Sequence, residues 1–482
     1  MKTAILTLDF GMSNIHSTLI DLKDGSLITD TEETYQWDNM ADARCEINLE
    51  TLWGKSQSVL QALLDKYDRA AVDIAAMGFS FFGDNFACFD ENRKPISLLL
   101  GPGDWRAEED MEELRAQFHT TTEEFAEITG APLDRDLAVS RMYWVKKHAP
   151  ELYRKTKYFY SLQQYILMQI GLEPLNDFSM AARKVVLDLH TNDWSTKILD
   201  VLGTTREAMG EVVAATTIVG RIDRYGAVKL PHEMPVMIGG HDAMQGFIGL
   251  GSAPLGTPGM MFSLAGSYNL FGLQWGEFLN TTSVWKPGLY TGCGAQKGSY
   301  HYQMGDLIRP VMEWCIAQFY SKAPGAMNEL SARVTYDATC TIRMTRDPRA
   351  GNGCFEGLSV NHTVVDLFTA IMEAITFHTK EMLDIYVQLM GDGFRVLRIG
   401  AGGAKADNLN QFKADLLNMT VERVANRQAS SVGVAVNAAV GIGAYASHED
   451  AMANMVRVEK SYTPNPEISA RYQEKYQQYL GK

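Results

Sequence analysis

No apolar run in this 482-residue chain approaches the roughly 18 residues that would cross a bilayer. Nor is any stretch rich enough in lysine and arginine to read as a nucleic-acid or membrane-surface tract. The net charge of −14 argues against a general polyanion binder, although a local site can still hold a nucleotide. Cysteine is scarce. Cys45, Cys88, Cys293, Cys315, Cys340 and Cys354 show neither C-x-x-C spacing nor the density of a disulfide framework, so reduced core thiols are expected. The opening "MKTAILTLDFG" has too short an apolar stretch for a signal peptide, lacks a small-residue cleavage site and meets an acid at Asp9. A cytoplasmic protein is the expectation. What the chain does have is 46% hydrophobic and only 21% charged residues, the balance of well-filled cores. At roughly 100–200 residues per domain, that length suggests two sizeable domains.

Periodicity sketches the organisation. "TAILTLDFG" and "SNIHSTLIDLKDGSLI" alternate and are joined by turn signals, predicting a hairpin that opens a sheet. Residues 48–67 have helical spacing, and 73–96 read as strand, turn and strand. Residues 107–170 look mainly helical, with "AVSRMYWVKKHAPELYRK" the plainest amphipathic piece, and short strands and turns resume after 217. "GMMFSLAGSYNLFGLQW" (259–275) repeats the shape of the opening hairpin: apolar strand, small-residue turn, second strand. If the repeat is a duplication, residues 1–250 and 251–482 are two similar α/β domains with a ligand between them. The tail "SYTPNPEISARYQEKYQQYLGK" reads as a turn and a terminal helix.

Turns of glycine and small hydroxyl residues after a strand converge backbone N–H groups on one point and can hold phosphate without basic side chains. "LDFGMSN" and "SLAGSYN" are two such turns, and each also reads simply as a hairpin turn using glycine for backbone freedom. Asp9 in the first could orient water on Mg²⁺ beside the phosphates. A third glycine stretch, "VLRIGAGGAKADNLNQFKADLLNMTVERV" (396–424), predicts strand, turn and helix. Gly400, Gly402 and Glu422 partly satisfy a dinucleotide fingerprint, but Lys405 occupies the third glycine's place. In "MPVMIGGHDAMQGFIGLG" (234–251), Asp242 stands on a glycine turn at a helix start. A carboxylate so placed can reach a ligand closely and suits a general base in phosphoryl transfer; it also reads as a plain helix cap. His241 is a packing or hydrogen-bonding neighbour.

Taken in order, these stretches resemble the FGGY carbohydrate kinases, the family of xylulokinases, fuculokinases and glycerol kinases, over roughly residues 4–447. "LDFGMSN" and "SLAGSYN" resemble its two phosphate motifs, "GFSFFGDNFACFDENRKPI" with "GDWRAEE" its sugar-side strands and W-x-D-x-R segment, and "SRMYWVKKHAPELY" its K-L-x-W signature. "NDFSMA" is similar to the D-x-S-x-A step, "IGGHDAMQGFIGLG" to the catalytic-aspartate motif, "GAGGAKADNLNQFKADLLNMTVER" to the adenosine motif and "SSVGVAVNAAVGIGAY" to the helix after it. The resemblance implies an α/β fold of two ribonuclease H-like domains of the actin/hexokinase/sugar kinase type, with an interdomain cleft. It implies transfer of the γ-phosphate of ATP to a hydroxyl of a small ketose or polyol. Asp242 becomes the catalytic base and Asp9 the Mg·ATP-side acid, the two being the candidate Mg²⁺ carboxylates. Gly11, Ser13, Asn14, Gly266 and Ser267 become phosphate-loop residues, while Gly402, Gly403, Ala404 and Asn408 fall to the nucleotide. Asp84, Asp104, Arg106 and His241 fall to the substrate side. The chain departs from the family at Met12, where threonine is usual, at A-G-S in the second motif and at Pro102 in W-x-D-x-R. A nucleotide sensor on the same scaffold is the alternative that these departures motivate. A homodimer is the default expectation for assembly.

Overall fold

The computed structural model describes residues 1–265, 269–279, 289–306, 309–321, 323, 325–343 and 353–481. Gly266 and Ser267 lie outside the described residues. The predicted hairpin forms as β1 (Lys2–Phe10) and β2 (Asn14–Asp21), antiparallel, with β3 (Leu27–Thr34) beside β2. Alternation in β1 predicts one buried face, yet both are covered. Leu6, Leu8 and Phe10 join one core cluster, Ile5 another. Thr7, on the face of Ile5, is buried too and shares a 2.6 Å hydrogen bond with Thr18, which settles both hydroxyls.

Helix α1 (Leu49–Lys66), started by Asn48 accepting the Glu50 N–H, covers one face with Leu52, Leu60 and Leu63. Strand β4 (Val72–Phe81) runs parallel to β1. The region expected to be mainly helical is cut into short pieces. In "AVSRMYWVKKHAPELYRK", α2 (Ala138–His148) stops where Pro150 opens a separate helix, Pro150–Lys155. Ala87–Phe89 pairs with Tyr158–Tyr160 as a small ribbon. After α3 (Phe178–Ala182) come β5 (Ile218–Tyr225) and β6 (Val228–His241). At 14 residues β6 is longer than the short strands expected, because register shifts let it bend past Pro231 and Pro235 without ending. The sheet order is β5-β6-β4-β1-β2-β3.

Helix α4 (Asp242–Gly249) leads into the second sheet: β7 (Met260–Ala265), β8 (Asn269–Trp275), β9 (Leu289–Cys293) and β10 (Tyr300–Asp306). The long α5 (Val364–Met390), β11 (Val396–Gly400), α6 (Asp407–Leu417), β12 (Thr420–Val424), α7 (Ala429–Gly441), β13 (Val458–Tyr462) and α8 (Pro466–Tyr479) complete the chain. The order is β9-β10-β8-β7-β11-β12-β13. With the extra edge strand β9 set aside, β3-β2-β1-β4-β6-β5 and β10-β8-β7-β11-β12-β13 have the same sequence of antiparallel and parallel pairings. The short repeat in sequence is thus matched by a repeat of topology.

The halves also share cores. Met244, Phe247 and Leu250 from α4 and the residue after it pack with Phe262 and Phe271 of the second sheet. Val432, Ala435, Val436 and Ala439 of α7 pack with Ile5, Ala76 and Met237 of the first. Five of the cysteines are buried thiols; Cys354 is exposed and departs from the core-thiol expectation.

Candidate active site

Strands β1, β4 and β6 are parallel neighbours, so their carboxyl ends fall at one edge of the sheet, where open α/β sheets place ligands. Asp9 ends β1 opposite Ser80 of β4, whose hydroxyl donates to its carboxylate. His241 ends β6 opposite Phe81, and Asp242 begins α4 immediately after.

The two glycines before Asp242 have separate reasons. Gly239 has φ of +70° at an irregularity in β6, and a Cβ there would lie 1.7 Å from the Phe79 carbonyl oxygen. At Gly240 a Cβ would meet the side chains of Asp177 and Ser179 at 2.7 Å. That space admits the start of α3, where Asp177 accepts from the Ser179 and Met180 amides and Ser179 Oγ accepts the His241 N–H at 2.9 Å. The turn is bare because it is braced from both sides.

Asp242 is not a side-chain N-cap in the usual sense: it is the first helical residue, with Oδ1 accepting the Ala243 N–H at 2.6 Å and lying 3.2 Å from His241 Nε2. About a third of its side chain (32%) reaches solvent. Burial, then the charge of Asp9, pushes its carboxyl up to about 7, while Arg183 pulls the other way. Asp9 is also raised by burial, partly offset by Ser80 and His16. His241, buried and near Arg183, is held well below the usual imidazole range and is neutral.

The first glycine turn, Gly11 to Asn14, is exposed at Met12 and Ser13. Its carbonyl oxygens, which would repel phosphate, are held from behind. Tyr35 donates its hydroxyl to the Gly11 oxygen and its amide to Ser13 (3.1 Å), and Trp37 Nε1 donates to Met12 (2.8 Å). Asn14 donates to Glu32 at 2.6 Å, so its side chain braces the hairpin. Tyr35 and Trp37 carry no motif and were not foreseen.

Asp84, expected on the sugar side, adopts a left-handed backbone (φ 52°) and pairs through Oδ2 with Arg183. Its carbonyl oxygen accepts from Arg141 Nη2 at 2.6 Å. Arg141 is fully buried and also donates to the carbonyls of Gly101 and Asp136, fastening the loops around the site. Asp104 and Arg106 behave differently from the expectation of direct substrate contact. The Asp104 carboxylate is fully buried and filled by Arg106 and the Cys45 amide (2.9 Å), and Arg106 also grips Glu46 at 2.6 Å and covers the Trp144 ring. The pair is a clamp between chain segments.

The second sheet contributes to both ends. At the end of β11, Gly402 and Gly403 are exposed, Ala404 is buried, and its carbonyl accepts from Asn410 at 2.9 Å. Asn408, expected on the nucleotide, donates its amide to the Ser331 carbonyl. Toward Asp84, β9 presents Tyr290, whose ring lies 5.0 Å from the Arg183 guanidinium, and β10 presents His301, bonded through Nδ1 to the Cys293 carbonyl (2.9 Å). Arg183, Tyr290 and His301 escaped sequence reading because three distant segments bring them together; the one local hint was a charge inside the small-residue run "FSMAARKVV".

Residues 4–249 match the model of the FGGY family of carbohydrate kinases, N-terminal domain, and residues 329–442 that of its C-terminal domain. The chain is 24% identical to a xylulose kinase of Lactococcus lactis subsp. lactis, over 98% of this chain and 95% of that one. It is 24% identical to an autoinducer-2 kinase of Salmonella paratyphi A, over 98% and 92%. The solved xylulose kinase from Rhodospirillum rubrum superposes with a TM-score of 0.87 at 20% identity, covering 99% of this chain and 98% of that one, which is a likeness of fold. Among the described residues no helix is long and apolar enough to cross a membrane.

Proposed function

The chain belongs to the FGGY family of carbohydrate kinases, enzymes that phosphorylate sugars with ATP, and from that premise we propose that it transfers the γ-phosphate to a hydroxyl of a small ketose or polyol, with Asp242 as general base. One observation carries the proposal: a partly accessible carboxylate at the end of β6, next to a second acid at the end of β1. In phosphoryl transfer the protein positions the reactants, neutralises charge and removes one proton. A carboxyl held near 7 ionises at working pH and still has the affinity to take the proton of an attacking alcohol. The Ala243 amide would keep Asp242 Oδ1 fixed beside the neutral His241 and leave Oδ2 for the alcohol.

Two half-buried acids, the charge of Asp9 raising the proton affinity of Asp242, would form the donor set of a cation site. Among the described residues no cluster of three acidic, histidine or cysteine ligands occurs. Mg²⁺ keeps much of its water and takes one or two carboxylates with phosphate oxygens, so Asp9 and Asp242 suit it, and when bound it would neutralise charge on the phosphates. The turn from Gly11 to Asn14, its carbonyls turned to Tyr35 and Trp37 and its Gly11 amide donated to the Asn14 carbonyl, would offer the amides of Met12 and Ser13 to the same phosphates. Gly402 and Gly403 would lie along the nucleotide, and Asp84 would accept from the sugar. The nearness of two carboxylates at one edge of the first sheet supports the reading of turnover over that of a sensor that only binds nucleotide.

The test is Asp242→Asn. Sugar-stimulated ADP release should fall by about 10³-fold or more, while ATP affinity by calorimetry stays within about twofold. Undiminished turnover would remove Asp242 from the reaction.

A further inference from the structure

A trans peptide points its carbonyl and the next residue's N–H in opposite directions, so whatever holds the carbonyl also aims the amide. In the turn from Gly11 to Asn14, the Gly11 carbonyl accepts the Tyr35 hydroxyl and the Met12 carbonyl accepts Trp37 Nε1 at 2.8 Å. The amides that these bonds aim, those of Met12 and Ser13, have no partner among the described residues. Met12 brings no side-chain donor of its own, so at that position an anion meets backbone alone. The aim of both amides therefore depends on two side chains just after β3. Trp37 is in turn set from elsewhere. Its ring lies 5.7 Å from that of Phe82 and fills the space beside Gly101, where a Cβ would come within 2.2 Å of Trp37 Cη2. Gly101 is outside the left-handed region, so packing against this ring, and not backbone freedom, is what excludes a side chain there. The Gly101 amide donates to the Cys45 carbonyl at 2.8 Å, and Arg141 donates to the carbonyls of both Gly101 and Asp84. One indole thus touches the phosphate turn with its N–H and, with its outer edge, the loop that Arg141 ties to Asp84.

We propose that Trp37 is a positioning residue that relays the placement of the Gly101 loop to the glycine turn, and so sets how tightly the protein holds the phosphates of ATP. The inference rests on the kinase reading and adds to it a physical link between two loops that are 90 residues apart in the chain. With the ring in its seat, the Met12 oxygen is held behind the turn and the Ser13 N–H faces out. With the ring displaced, that oxygen loses its donor and the peptide is free to turn, which presents a lone pair where a phosphate oxygen would sit. Tyr35 does the same for the Met12 amide through its hydroxyl.

The experiment titrates the full chain with ATP and with adenosine, which shares the base and ribose but has no phosphate. Trp37→Phe keeps a ring near Phe82 and removes the N–H; its Kd for ATP should rise about five- to tenfold, the scale of one hydrogen bond that serves a charged ligand, while that for adenosine stays within about twofold. Gly101→Ala should have the same selective effect from the far side of the indole, because its methyl overlaps the ring. The double variant should bind ATP no more weakly than the weaker single one, since the methyl acts only by pushing the ring that Trp37→Phe removes. A merely structural role would weaken both ligands alike. If Gly101→Ala shows no cooperative thermal transition, Trp37→Phe and Tyr35→Phe decide, the latter with the same loss for ATP and none for adenosine. Unchanged ATP affinity in Trp37→Phe, equal losses for the two ligands, or losses that add in the double variant would overturn this inference and leave the kinase reading intact. A wild-type chain that binds no ATP would overturn both.

Discussion

At the scale of single residues, Asp242 carries a cost that its proposed role as general base would explain. Its folded proton affinity is raised, from 3.8 to about 7, so the ionised form is disfavoured in the native state. The stabilisation that a raised carboxyl gives is complete below the unfolded value near 4 and is lost as pH rises through about 7. Asp242→Asn should therefore stabilise the ligand-free protein at pH 8 by about 1–2 kcal/mol, with allowance for the solvent that reaches the side chain, and hardly at all at pH 4. Urea unfolding at the two pH values checks it; equal effects at both would mean that the acid is not strained by its surroundings. Ala401 tells a similar story in the backbone. With φ of 68° and ψ of −173° it sits in a region that favours glycine, at the turn before Gly402. Ala401→Gly should raise stability by about 1 kcal/mol, less whatever the freer unfolded chain takes back. A loss of stability on denaturant titration would show that the methyl is packed rather than strained.

Residues on local turns were legible in sequence, and those on distant segments were not. Asp9 and Asp242 announce themselves by an acid beside glycine at the end of an apolar strand. Asp104 and Arg106 were visible as a D-x-R pair, yet local spacing gives no sign that their side chains bond to each other.

At the scale of elements, the point of greatest constraint is where α4 crosses α7. A Cβ on Gly433 would lie 1.8 Å from the Gln245 carbonyl oxygen, and one on Gly249 would lie 1.9 Å from that of Ala429. The two backbones touch at both places, and only hydrogen fits between them. Gly433→Ala must push the helices apart, at about 2–3 kcal/mol as overpacking goes. It should also lower kcat, because α4 begins with Asp242, whose carbonyl accepts from Ser430 of α7 at 3.2 Å. Thermal unfolding and ADP release measured on the same preparation test both; an unchanged melting temperature would contradict the contact. The strand–turn–helix order of 396–424 was readable because each element carries its own period and punctuation. Residues 107–170 were not, since "mainly helical" says nothing of where a helix must stop to let a ribbon or a loop through. Pro150 marked one such stop.

At the scale of the whole molecule, the repeated sheets are joined by an exchange. The helix that follows the last parallel strand of each sheet packs on the other: α4 carries Met244 and Phe247 to Phe262 and Phe271, and α7 carries Val432 and Val436 to Ile5 and Met237. This is why β1 has no polar face although its sequence alternates with threonine. Its second cover arrives some 420 residues later in the chain, beyond the reach of any window of sequence. A split at residue 250, the boundary that the sequence suggests, would strip that cover from the first half. Ile5, Ala76 and Met237 would face water, an apolar face that a soluble domain does not leave open. Residues 1–250 expressed alone should lack a cooperative thermal transition and bind a hydrophobic dye, and the 251–482 chain added in trans should restore the transition. Cooperative melting of the isolated first half would show that the cover supplied by α7 is not needed for that half to fold.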